Sequence, residues 1–161
     1  MLVNEAGIIR TAQIALTLVF FSMRPQIGQA ASPSDACSLF NASQVSAILG
    51  VTVSEGQHPI ASTLLLCDWA PAAATQIGKK LSVNLMTERA FDVGKTVMQG
   101  VTKTPVSGAG DDAYYVTGGG HGTALSMKKG SIYVQIRVYG FSIDKTKALE
   151  KTLAVQIPGT L

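Results

Sequence analysis

The sequence predicts an α+β domain: an antiparallel sheet of about five to six strands with helices packed on one face. Three observations predict it. Six segments carry the alternating or continuous apolar pattern of strands, and three carry helical spacing with capping signals. Their order, helix, two strands, helix, four strands, helix, suits a sheet backed by helices.

The first helix is expected at residues 41–50, inside "CSLFNASQVSAILG". Asn41 can cap it with Gln44 three residues later, Phe40 and Val45 are placed for a hydrophobic staple, and Gly50 stands where a left-handed residue ends a helix. Val45, Ile48 and Leu49 form its buried stripe. Residues 64–69 (LLLCDW) form an apolar run broken by Asp68, and residues 80–87 (KLSVNLMT) alternate, so both read as strands. The stretch 70–74 (APAAA) reads as a mobile loop. Between Glu88 and Gln99, Ala90, Phe91, Gly94, Val97 and Met98 recur at helical spacing, and Gly100 closes the segment. Residues 101–106, 113–117, 123–128 and 131–139 are the remaining strands, the last two joined by a turn at Lys128, Lys129 and Gly130. Ser142 is placed to cap a final helix with Leu149 and Leu153 inward, ending near Pro158. Strand order is not legible.

The start of the chain reads differently. Arg10 precedes thirteen uncharged residues, 11–23, a block shorter than the roughly 20 residues of a spanning helix. Gly28, Gln29 and Ala30 follow as a small-residue cleavage site. Residues 1–30 are therefore expected to be a signal peptide cut after Ala30, residues 31–36 a flexible lead-in, and residues 37–161 one domain, secreted or periplasmic, with no membrane span after cleavage. A 131-residue remainder is long enough to bury a single core.

The net charge is +3, and loss of Arg10, Arg24 and Glu5 lowers it by one. The basic residues are scattered or paired (Lys79-Lys80, Lys128-Lys129) rather than banded, which argues against a nucleic-acid partner. Both cysteines survive cleavage. In an oxidising compartment two cysteines most simply form one bond, Cys37 to Cys67, and closing the 29 intervening residues contributes about 3 to 4 kcal/mol in the chain-entropy picture. A reactive thiol or metal pair needs a CxxC spacing or an activating histidine nearby, and the sequence displays neither.

The stretch "GAGDDAYYVTGGGHG", 108–122, holds the glycines of a phosphate-cradling pattern, but a nucleotide site needs a helix after them and "YYVT" is strand chemistry. Residues 108–112 and 118–122 are read instead as turns. Asp111, Asp112, His121 and His58 stand at no recognised metal-ligand spacing. His121 with Asp111 or Asp112 lacks a G-x-S-x-G nucleophile elbow, and adjacent aspartates on a strand point apart rather than converge. Of Tyr114 and Tyr115, one is expected to pack inward and the other to face solvent, forming with Tyr133 and Tyr139 an aromatic surface.

Together "DACSLFNASQVSAILG", "CDWA" and "GAGDDAYY" resemble a group of small exported bacterial proteins, often actinobacterial lipoproteins, that share a domain of unknown function. The shared features are Cys37-Ser38-Leu39, Leu49-Gly50, Cys67 with Trp69, and Gly108, Gly110, Asp111, Ala113 and Tyr114. The resemblance implies export and the disulfide, and brings no activity or catalytic residues. No lipidation cysteine stands at the cleavage site, a departure from the lipoprotein members.

These readings lead to an exported, monomeric, non-enzymatic binding module without a cofactor. It would recognise an envelope or extracellular protein, or a small ligand, through a loop bearing Asp111, Asp112, Tyr114, Tyr115 and His121. The alternatives are an inhibitor of a secreted hydrolase, inserting the loop 118–122, and a hydrolase or metal-dependent enzyme using His121 with Asp111 and Asp112.

Overall fold

A computed structural model describes residues 34–96, 99–118 and 122–157. The expected leader and cleavage site, residues 1–30, lie outside them. Helix α1 is Ala42–Leu49, strands β1 and β2 are Leu66–Trp69 and Leu81–Leu85, and helix α2 is Glu88–Gly94. Strands β3 to β6 are Val101–Pro105, Asp112–Gly118, Thr123–Lys129 and Ile132–Val138, and helix α3 is Ile143–Gln156. The fold is the expected α+β: one six-stranded sheet, every pair antiparallel, in the order β1-β2-β6-β5-β4-β3. The last strand is thus central, seated between β2 and β5.

Alternation along the strands sorts the side chains into two faces. On one, Cys67, Trp69, Leu81, Val83, Leu125, Met127, Val134 and Ile136 are fully buried; α3 packs on β5 and β6 and touches α1, and the turn at Ala36–Leu39 packs on β1 and β2. On the other lies α2, whose Phe91 ring sits 5.3 Å from Tyr114 and 5.7 Å from Tyr133. This short helix covers part of the face that the helix-bearing core leaves open, and its presence corrects the expectation for the tyrosine pair. Both Tyr114 and Tyr115 are buried: Tyr114 donates to the Phe91 carbonyl of α2 at 2.9 Å, and Tyr115 to the Lys147 carbonyl of α3 at 2.5 Å.

Capping fixes the helix ends. Asn41 and Gln44 form the expected reciprocal box, and Gly50 closes α1 at φ +67°. Helix α2 stops at Gly94, short of the expected Gln99. The Lys95 N–H turns to the Asp92 and Val93 carbonyls, and the Phe91 carbonyl is taken by Tyr114 instead. Val97 and Met98, expected in that helix, lie outside the described residues. Ser142 stands at the cap position of α3, but its side chain makes no capping hydrogen bond.

Other boundaries also shift. Strand β1 begins at Leu66, with Leu64 and Leu65 half exposed. The stretch expected to be a mobile loop is tied down, the Ala72 N–H donating to the Thr52 carbonyl at 3.0 Å and Pro71 bridging to Val53. The domain reaches back before Cys37: Ala36 is fully buried and its N–H donates to the Leu64 carbonyl at 2.8 Å. Cys37 and Cys67 are joined as expected, their Cα atoms 5.1 Å apart, so the bond ties the turn at Ala36–Leu39 to an edge strand.

Candidate functional site

The expected loop residues are placed in several environments. Asp111 accepts from the Gly130 N–H at 2.7 Å, which holds the 108–112 turn against the β5–β6 hairpin. Gly108 and Gly110 supply the positive φ that the turn needs, +73° and +67°. Asp112 pairs with Lys95, and this hydrogen bond pushes the exposed ammonium up from its usual range. Tyr114 and Tyr115 serve the packing of α2 and α3. Asp112 and Tyr114 border a shallow groove with Lys95 and Lys103, whereas Asp111 is held elsewhere by its turn. His121 lies outside the described residues.

One neighbourhood escaped the sequence reading altogether. His58, 21 residues from Cys37, comes within 3.7 Å of its sulfur. Its Nδ1 donates to the Leu66 carbonyl at 2.8 Å, and its Nε2 faces Asp35 at 3.4 Å. Asp35, Cys37 and His58 are the sole metal-like cluster among the described residues. The Cys37 sulfur is spent in the disulfide, and a thiolate, not a disulfide sulfur, is the metal ligand. The arrangement braces the disulfide to β1.

The most chemically distinctive region lies where α3 begins. A cleft of about 370 Å³ is lined by Gly122 and Thr123 at the start of β5, Arg137 to Tyr139 at the end of β6, and Gly140, Phe141, Ile143 and Thr146. Register explains the convergence. Thr117 of β4 pairs with Thr123 of β5, and Leu125 of β5 pairs with Ile136 of β6, which sets Thr123 level with Val138. The Val138 N–H donates at 3.1 Å to Glu150 of α3, and Thr146 sits one helical turn earlier on the same side.

This row of polar groups is unusual in being both buried and incompletely bonded. Thr123 is 3% exposed and Glu150 0%. The hydroxyls of Thr117 and Thr123, the second carboxyl oxygen of Glu150 and the Arg137 Nε have no hydrogen-bond partner among the described residues. Interior polar groups are nearly always bonded, and each left unbonded costs about 1 to 3 kcal/mol. Burial drives the Glu150 carboxyl up to about 8, against the opposing pull of the Val138 N–H and the charges of Arg137 and Lys147. Burial likewise pushes the Tyr115 hydroxyl up to about 12, with Glu150 adding to it.

The signal for this site was present in the sequence. Thr146, Glu150, Leu153 and Ala154 are the buried stripe of α3, at the i, i+4, i+7 and i+8 spacing of a core-facing helix. Half of that stripe is polar. Reading only Leu149 and Leu153 as the inner side passed over it.

No protein-family model, curated protein or solved structure matches the chain.

Proposed function

We propose that the chain is an exported, non-enzymatic binding module that takes a small ligand in the cleft between the start of α3 and the ends of β5 and β6. The observation that carries this reading is the set of buried, partner-lacking polar groups around the cleft: Thr123 and Arg137 line it, and Glu150 stands behind Val138. Selection for stability alone favours apolar or fully bonded groups at such positions, so their retention points to a ligand that completes the bonding.

The disulfide accords with an oxidising compartment. Among the described residues no helix is long and apolar enough to cross a membrane. Cleavage after Ala30, and secretion or periplasmic residence, belong to the proposal, as does kinship with the exported proteins of unknown function. The hydrolase reading has less support, because Asp111 and Asp112 are each engaged by a different partner.

Native mass spectrometry of the protein recovered from the periplasm or medium of an exporting cell tests the reading. The expected species begins at Ala31, gains two alkyl groups only after reduction, and carries a small-molecule mass that is lost on denaturation. An uncleaved or lipidated chain would overturn the export reading. A ligand-free chain whose Thr123 and Val138 amides respond to no member of a small-molecule library would overturn the binding reading.

A further inference from the structure

The cleft carries two hydroxyls, those of Thr123 and Thr146, and the Thr123 hydroxyl has no partner among the described residues. Phe141, which lines one wall, has the Lys145 ammonium 5.0 Å and the Lys79 ammonium 5.6 Å from its ring centre. The first turn of α3 opens at the same place. Helix N-termini leave their first N–H groups to be satisfied by a cap or a ligand, and they favour negative charge. Asn41 and Thr87 cap α1 and α2 with their side chains, whereas Ser142 does not cap α3. The buried Thr123 hydroxyl, without a partner among the described residues, is a second and separate sign of a missing ligand group. Val138, Phe141 and Ile143 add apolar surface.

We infer that the cleft receives a small organic carboxylate, its oxygens taken by the Thr123 and Thr146 hydroxyls and the first N–H groups of α3, its apolar body against Phe141 and Ile143. The inference rests on the binding-module reading and names its ligand class.

Two acidic side chains belong to the neighbourhood. Asp144, in the first turn, is exposed and does not line the cleft. Glu150 is buried, and the groups that act on its charge are Arg137 from β6, Lys147 from its own helix and Tyr115 from β4. A protonated Glu150 carboxyl is neutral and does not oppose an incoming carboxylate. An ionised one repels it. Binding therefore weakens as pH rises past the Glu150 titration, approaching about tenfold per unit where binding requires the protonated form.

The test is an amide-resolved NMR titration of the disulfide-bonded protein with phenylacetate and with phenylacetamide, its neutral counterpart, at about pH 6 and about pH 9. Phenylacetate is expected to shift the amides of Thr123, Val138 and residues 143–146 and to bind about tenfold more weakly at the higher pH, with phenylacetamide weaker than phenylacetate at the lower. Glu150→Gln should abolish the pH dependence of phenylacetate binding. Equal binding of the amide and the acid would overturn the carboxylate class and leave the binding-module reading standing. Shifts confined to other parts of the domain would overturn the site. Failure of both probes, together with silence of the same amides toward a mixed library of neutral and cationic fragments, would overturn both readings. If Glu150→Gln fails to fold, Thr123→Val replaces it, and an undiminished phenylacetate affinity in that variant overturns the assignment.

Discussion

The Glu150 carboxyl gives the domain a pH dependence whose size and sign follow from its burial. In the unfolded chain the group titrates near its ordinary 4.5, whereas in the folded domain burial holds the proton up to about 8. Between those values the folded state binds more protons than the unfolded one, so stability falls as pH rises. The contribution is fully present below about pH 4.5 and is lost by about pH 8, at about 1.4 kcal/mol per unit. From about pH 5 to about pH 7.5 the loss is on the order of 3 kcal/mol, a large share of the 5 to 15 kcal/mol typical of domains. The assay is urea unfolding of the native chain and of Glu150→Gln across that range. Gln retains the acceptor that Val138 uses and cannot titrate, so the difference between the two proteins isolates Glu150 from every other group. That difference should shift toward the variant by about 3 kcal/mol as pH rises. Parallel stability curves for the two proteins would refute the reasoning, because they would mean that the folded carboxyl titrates where the unfolded one does.

Other residues give further tests. Thr123→Val keeps the side-chain shape, removes a buried hydroxyl that lacks a partner, and should raise the stability of the ligand-free protein by about 1 kcal/mol in thermal or urea unfolding; a loss of that size would show that the hydroxyl is satisfied. Gly94→Ala places a Cβ on the Tyr114 hydroxyl and should destabilise by about 2 to 3 kcal/mol through crowding and loss of the bond to Phe91. Adding Tyr114→Phe should then cost less than the two single changes summed, and simple additivity in this double-mutant cycle would contradict the contact. Reducing the Cys37–Cys67 bond should lower stability by about 3 to 4 kcal/mol in denaturant, and an unchanged midpoint would mean that the ring constrains nothing.

Local signals in the sequence carried most of the architecture. The box of Asn41 and Gln44, the alternation of Leu81, Val83 and Leu85, and the β5–β6 turn at Gly130 are written in neighbouring residues, and each element stands within a few positions of its expectation. What could not be read depends on contacts between distant segments. Helix α2 ends early because Tyr114, 23 residues away, takes its Phe91 carbonyl. Ser142 has the residue type of a cap without making the bond. The Cys37–Cys67 pairing was legible because two cysteines allow one choice, whereas the approach of His58 was not, since the chain from 58 to 66 must fold back to bring it there. The polar cleft was half legible: Glu150 was visible on the buried stripe of α3, but its alignment with Thr123 requires the β5–β6 register.

The central seat of β6 governs the order in which the molecule can be assembled. Strand β2 has β1 on one side from early in the sequence, but its other neighbour is Ile132–Val138, some fifty residues further on. A chain delivered from its N-terminus therefore presents both cysteines, and the strand that carries Cys67, well before the middle of the sheet exists. The covalent ring can close while the remainder is still arriving, and with two thiols it has no wrong partner to choose. Until β6 docks, β2 keeps a row of unpaired backbone groups on one edge, so completion of the sheet waits on a long-range contact, the slow kind of folding event. A domain built this way stays open while its chain is still being made and becomes a cooperative unit only when its last strand is in hand.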